Sequence, residues 1–116
     1  MNVAGSRLLL VEDEPIIGFA LEDMMIEAGA DIRFAATLEQ GLALAEANAF
    51  DGAVIDVNLH GMTSYPLARR LLENGVAVLF ATGYGDRTCP DDLRGVPTLT
   101  KPYTKEAIEQ AFAAMA

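Results

Sequence analysis

The sequence predicts an α/β domain built as a doubly wound parallel sheet of five strands with helices on both faces. Short apolar runs of strand length alternate along the chain with longer segments whose apolar residues recur at helical spacing. The strand-like runs are apolar at consecutive rather than alternate positions, as befits strands buried on both faces. The residues that follow these runs are charged or hydroxylic, which marks one end of the sheet as polar.

Arg7 to Val11 is the first run, too short for a helix and bounded by acidic residues. From Pro15 the pattern turns helical: Ile17, Leu21, Met24 and Ala28 share a face, Pro15 suits a first turn and Gly29 a stop. Asp31 to Ala35 forms a weak second strand, and a helix from about Thr37 aligns Leu38, Leu42 and Ala45. Ala53-Val54-Ile55 is the third strand, ending on Asp56. A third helix runs from about Ser64 to Asn74, with Leu67, Ala68, Leu71 and Leu72 apolar and Gly75 as its stop. Val76 to Ala81 and Thr98 to Thr100 are the last two strands, and Thr104 to Met115 is a helix buried through Ile108, Ala111, Phe112 and Met115. The alternation breaks between Gly85 and Gly95. Only Cys89 and Leu93 can pack there, and Pro90 must open any helix, so a short, poorly anchored fourth helix is expected.

A chain of 116 residues has room for one domain, spanning residues 1–116, with a core of its own. Hydrophobic residues are 52% and charged residues 22%, so the fold needs neither metals nor disulfides to form. The apolar runs are far shorter than the roughly 18 residues of a membrane span, and Met1 to Arg7 lacks the apolar stretch of a signal peptide. A cytoplasmic setting and a monomer are expected. Cys89 is the only cysteine and can form no internal disulfide. The net charge of -9 argues against nucleic-acid or anionic-membrane binding and directs attention to protein partners.

In an open parallel sheet the ligand site lies beyond the carboxyl ends of the strands. Glu12 and Asp13 follow the first strand, Asp56 ends the third, Thr82 the fourth and Lys101 the fifth. Three carboxylates gathered there repel one another unless a cation neutralises them. A hard ion with oxygen ligands fits. Magnesium, which keeps several waters and binds through a few carboxylates, suits a shallow site better than zinc, since His60 is the only histidine and Cys89 the only cysteine. Such a site supports attack of a carboxylate on a phosphoryl group, because phosphoryl transfer needs positioning and charge neutralisation above all. Asp56 is the expected nucleophile. Glu12, Asp13 and Asp56 are the expected metal ligands together with the Asn58 backbone carbonyl, while Lys101 and Thr82 are expected to hold the phosphoryl oxygens. Glu14 reads as a charge at a helix start.

Four segments, Leu9-Leu10-Val11-Glu12-Asp13-Glu14, Val54-Ile55-Asp56-Val57-Asn58-Leu59, Phe80-Ala81-Thr82-Gly83 and Leu99-Thr100-Lys101-Pro102-Tyr103, resemble the receiver domain of two-component response regulators in order and spacing. The resemblance covers about Arg7 to Met115. It implies a flavodoxin-like (βα)5 fold with strand order 2-1-3-4-5 and a cis Lys101-Pro102 bond. It also implies magnesium-dependent phosphorylation of Asp56 by a histidine kinase or histidine phosphotransfer protein, with a downstream protein partner. Such a domain assists only its own phosphorylation and dephosphorylation and is not otherwise an enzyme.

Two departures from the family pattern concern the switch. Receivers that couple Thr or Ser to a rotating aromatic carry that aromatic three residues before the lysine, and Thr98 stands there. Phe80-Ala81-Thr82-Gly83-Tyr84-Gly85 instead resembles a subgroup of stand-alone receivers with a Phe-Ala-Thr motif followed by Gly and Tyr. Signalling is therefore expected through order and disorder of Tyr84 to Gly95, with Thr82, Gly83, Tyr84, Thr98 and Tyr103 as switch positions and the fifth strand and last helix as the responding surface. Tyr103 takes the place where the family usually has Phe, and its hydroxyl is expected to stay in water. His60 is expected to be solvated or to tune access to the site.

Other readings stay open from sequence. An aspartyl-nucleophile phosphatase usually carries a second Asp where Asn58 stands. A flavin carrier needs a phosphate-cradling loop where Glu12-Asp13-Glu14 would repel it. The chain also fits a receiver that belongs to a larger hybrid kinase or regulator, or one that has lost phosphorylation and only binds partners.

Overall fold

A computed structural model describes residues 1–83 and 89–115. Five strands form the sheet: β1 (Arg7–Val11), β2 (Asp31–Ala35), β3 (Gly52–Asp56), β6 (Ala77–Thr82) and β7 (Thr98–Thr100). Their order is β2-β1-β3-β6-β7 and every pairing is parallel. This is the expected 2-1-3-4-5 arrangement. The intervening labels belong to a small antiparallel hairpin, β4 (Asn58–Leu59) and β5 (Met62–Thr63), which the apolar pattern did not reveal.

The apolar runs split their side chains between two cores. Leu9, Val11, Ile55, Val78 and Phe80 pack on the side covered by α2 (Leu38–Ala47) and α3 (Tyr65–Glu73). Leu8, Leu10, Val54 and Leu79 face α1 (Pro15–Glu27) and α4 (Lys105–Ala113) through Leu21, Met25, Ile108 and Phe112. Each such buried aliphatic side chain contributes about 1.5–3 kcal/mol relative to exposure. A sheet covered in this way leaves its edges, not its faces, for function.

The helix boundaries follow local chemistry. Thr37 and Thr104 cap α2 and α4 by accepting hydrogen bonds from the Gln40 and Ala107 amides, both at 3.1 Å. Gly29 and Gly75 end α1 and α3 with positive φ of 91° and 77°, which glycine accepts without strain. The expected helical faces need adjusting. On α1 the fully buried stripe is Gly18, Leu21 and Met25, while Ile17, Met24 and Ala28 are half-buried. Gly18 lies inside that stripe because the Phe34 ring occupies the space its side chain would need: a Cβ there would come within 2.6 Å of Phe34 Cζ. Leu72, expected in the core, is exposed, and Tyr65 is buried in its stead with its ring edge-on to Phe80 at 5.9 Å.

The expected fourth helix is a single 3-10 turn at Asp91–Leu93. The expectation of poor anchoring is corrected. Leu93 is buried in the core beneath α3, Cys89 packs against the same core, and Arg69 on α3 grips the Asp92 carboxylate with two hydrogen bonds of 2.9 and 3.2 Å. Tyr84 and Gly85, which belong to the anticipated mobile segment, lie outside the described residues.

Candidate functional site

Parallel register carries the strand-end residues to one edge of the sheet. Glu12, Asp13, Asp56, Thr82 and Lys101 meet there, although up to 89 positions separate them in sequence (101 − 12). A cleft of about 280 Å³ opens above them, lined by Asp13, Asp56, Asn58, His60, Thr82 and Lys101 among others.

Lys101 ties the site together. Its Nζ lies 2.9 Å from Asp56 Oδ2, to which it donates a hydrogen bond, and 2.7 Å from Glu12 Oε1. The second contact is an ion pair, and among the described residues the buried Glu12 Oε1 has no hydrogen-bond partner. Glu12 Oε2 accepts the Asp13 amide at 3.0 Å, and Asp56 Oδ1 accepts the Asn58 amide at 3.3 Å. Asp13 Oδ2 accepts the His60 amide at 2.9 Å. These bonds come from the backbone just beyond β1 and β3, so the strand ends themselves orient the acids.

Burial and crowding shape the charges. Burial first, and then the crowding of the Asp56 carboxyl, push the Glu12 carboxyl up to about 7, with Lys101 opposing them. Burial works against the Lys101 charge, yet the close Glu12 and Asp56 carboxylates outweigh it and its pKa is raised. Asp13 is also partly desolvated, but the His60 amide and the neighbouring hydrogen bonds outweigh this and lower its pKa.

The donor set fits a hard cation. Glu12, Asp13 and Asp56 each offer one carboxylate oxygen, all within 4.8 Å of one another. All three donors are oxygen, and among the described residues the buried Glu12 Oε1 meets only the Lys101 ammonium, with no hydrogen-bond partner. A single lysine cannot balance three neighbouring carboxylates, which is the electrostatic condition that favours a divalent ion.

The remaining expected positions divide. Thr82 is buried at the end of β6 and its carbonyl accepts the Lys101 amide at 2.8 Å, so the two residues are joined through the backbone as well as by the cleft. Gly83 is exposed, and a Cβ built there meets nothing within 4 Å. Thr98 is exposed on β7, opposite Phe80. The Lys101-Pro102 peptide bond is cis. Tyr103 contradicts its expectation. Its hydroxyl is buried with no hydrogen-bond partner among the described residues, because the ring lies against the core under α1 and α4, and burial followed by the Glu12 charge pushes it up to about 12. The His60 imidazole is solvated as expected, at 67% exposure, but its backbone is engaged with Asp13.

Two structural features near the site were not foreseen from the sequence. One is the β4–β5 hairpin, whose only signal was Gly61 between Leu59 and Met62 at a two-residue turn. The other is α1, which exposes Ile16, Phe19 and Ile26 at 84%, 65% and 57%. Their signal was an α1 segment apolar on every side, which is a pattern for a buried helix or for one that meets a partner.

The fold and site together define a flavodoxin-like α/β domain with an acidic, lysine-bridged edge at the carboxyl ends of its strands. The family model for the response regulator receiver domain matches residues 8–113, so the chain belongs to that family and is a receiver domain of two-component signalling. Receiver domains are signalling modules rather than classical enzymes. The chain is 30% identical over 112 residues to the transcriptional regulatory protein TcrA of Mycobacterium tuberculosis, covering 92% of this chain but 44% of TcrA. It therefore spans less than half of that relative. The solution structure of SdrG from Sphingomonas melonis Fr1 is 34% identical with a TM-score of 0.81, and the match covers 97% of both chains. The BeF3-activated conformation of SdrG is 35% identical with a TM-score of 0.77 and 94% coverage of both. The PhyR receiver domain of Erythrobacter litoralis is 26% identical with a TM-score of 0.82, covering 95% of this chain and 88% of that one. No helix among the described residues is long and apolar enough to cross a membrane.

Proposed function

We propose that this receiver accepts a phosphoryl group on Asp56 from a histidine kinase or histidine phosphotransfer protein and thereby changes its binding of a downstream protein. The observation that carries this reading is the Asp56 carboxylate at a strand end, hydrogen-bonded by Lys101 at 2.9 Å and within 4.8 Å of two further carboxylates. An Asp56 oxygen attacks phosphorus, the phosphorus–nitrogen bond to the donor imidazole breaks, and that nitrogen keeps the electron pair. Glu12, Asp13, Asp56 and the Asn58 carbonyl hold Mg2+, which when bound neutralises charge on the transferring oxygens. Lys101 and the Thr82 hydroxyl bind those oxygens once the group has arrived, and open space at Gly83 leaves the acceptor reachable.

The donor docks beside the site. Ile16 and Phe19 project from α1, and an apolar groove lined by Ile16, Ile17, Ala20 and Met24 continues into Lys101, Pro102 and Tyr103. Exposed apolar area that runs into a reactive edge is the expected seat for the protein that brings the phosphoryl group. Output follows from charge. The phosphoryl group adds about -1.5 to -2 charge, drawing Lys101 and Thr82 toward Asp56 and shifting the loop after Thr82, β7 and α4. The resemblance of Phe80-Ala81-Thr82-Gly83-Tyr84 to a subgroup of stand-alone receivers supports a response that needs no aromatic at position 98. The BeF3-activated SdrG structure supports this use of the site, since its sequence is similar over 94% of both chains. A cytoplasmic location suits a donor of this class.

The test is mass spectrometry after incubation with acetyl phosphate and Mg2+. One phosphoryl adduct is expected in the native protein and none in Asp56→Ala or in the presence of EDTA. An undiminished adduct in Asp56→Ala overturns the assignment.

A further inference from the structure

Asn58–Leu59 and Met62–Thr63 form a separate two-stranded sheet directly after the proposed acceptor strand. The turn between them has φ of 51° at His60 and 82° at Gly61, positive at both central positions as a type I′ turn requires. The Asn58 side-chain oxygen accepts the Gly61 amide at 3.0 Å and closes the turn. From this small structure two backbone amides reach the site: Asn58 donates to Asp56 Oδ1 at 3.3 Å and His60 donates to Asp13 Oδ2 at 2.9 Å. The hairpin thus spans the acidic edge, touching a carboxylate from each of two strand ends.

We infer that the β4–β5 hairpin is a positioning clip that preorganises the cation site by holding Asp13 across from Asp56. The register supports a third contribution. In a hairpin closed by two residues, the pair beside the turn exchanges the ladder hydrogen bonds and the next pair does not. Leu59 and Met62 are the closing pair, so the Asn58 amide and carbonyl both turn away from Thr63. The amide goes to Asp56, and the carbonyl shares that side, where the cation would sit. The hydrogen bond to Asp13 comes from the His60 amide, while its exposed imidazole Nδ1 stands 3.6 Å from the same carboxylate oxygen, so the test has to separate backbone from ring. An isolated two-residue-turn hairpin is only marginally stable, so the turn conformation sets the fraction of molecules in which the clip is closed.

This inference rests on the proposed cation site for its ligand, and its test needs no phosphodonor. Gly61 is exposed, and a Cβ built there meets nothing within 4 Å, so Gly61→Val strains the positive φ without a clash. His60→Gly removes the imidazole, keeps the amide and relaxes the turn. Mg2+ affinity is measured by amide NMR titration with MgCl2 alone. Gly61→Val is expected to bind about three- to tenfold more weakly, with His60→Gly within about twofold of native. Native affinity in Gly61→Val overturns the clip, as does an equal loss in His60→Gly, which would assign the effect to the imidazole. If Gly61→Val does not fold, Gly61→Ala is read by the same criteria. Absence of Mg2+ binding in the native protein is a different result, because it removes the cation site itself and with it the proposed function.

Discussion

Lys101 Nζ stands 2.9 Å from Asp56 Oδ2, with a buried Glu12 oxygen 2.7 Å away on its other side. One ammonium thus holds together two acids that would otherwise repel, in a place where water supplies little screening.

Lys101→Met leaves Glu12 and Asp56 facing each other with no lysine or arginine paired to them among the described residues. The metal-free domain is expected to lose about 1–3 kcal/mol, below the full cost of breaking a buried pair because Glu12 can take up a proton. Mg2+ should recover more stability in this variant than in the native protein. Thermal melts with MgCl2 and with EDTA measure both effects, and identical Mg2+-induced shifts in Tm for the two proteins contradict this account of Lys101.

Phe19→Asp changes a side chain that is 65% exposed on α1 and takes no part in either core. Stability should stay within about 0.5 kcal/mol. Phosphorylation by a cognate protein donor is expected to slow by about tenfold or more, while acetyl phosphate labels the variant at the native rate, because only the protein donor must cover α1. Equal slowing with both donors places the defect in the chemistry and not in docking.

Thr82→Ala removes a hydroxyl at the end of β6 but no charge. The phosphoryl adduct should still form on Asp56, and the 2.8 Å backbone bond from the Lys101 amide to the carbonyl at position 82 survives, so only the pull of the Thr82 hydroxyl on the phosphoryl oxygens is lost. Amide shifts at Leu99 to Tyr103 on addition of beryllofluoride, an acyl-phosphate mimic, are expected to shrink in Thr82→Ala and to persist in Thr82→Ser. Full-sized shifts in Thr82→Ala remove Thr82 from the switch.

Leu93→Ala tests the anchoring of the 3-10 turn. Leu93 is 1% exposed in the core beneath α3, so truncation should cost about 2–4 kcal/mol in urea unfolding. A loss under about 1 kcal/mol shows that the turn follows the core without being fastened to it.

The sequence carried the sheet and the acidic edge because both rest on local pattern. A run such as Leu8-Leu9-Leu10-Val11 is legible as a buried strand without knowing its neighbours, and alternation with helices dictates parallel pairing, which sends every strand end to one side. Glu12, Asp56, Thr82 and Lys101 could therefore be placed together from their positions at those ends. The Leu93 anchor was not legible in the same way. Pro90 and a single packing residue predict a weak helix, whereas the grip of Arg69 on Asp92 depends on α3 lying beside that turn.

Tertiary structure alone decided three other matters. The Tyr103 hydroxyl is buried because the ring is drawn into the α1–α4 core, a matter of packing that no spacing in the chain encodes. Ile16 and Phe19 face outward because Gly18, Leu21 and Met25 take the inward face, where Phe34 leaves no room for a side chain at Gly18. The hairpin reaches Asp13 only because β1 and β3 are neighbours in the sheet, which brings the His60 amide to a carboxylate 47 positions earlier in the chain. Periodicity determines which residues share a face and which strand ends share an edge. Contacts between elements depend on where the packed elements come to rest, and that is a property of the whole fold.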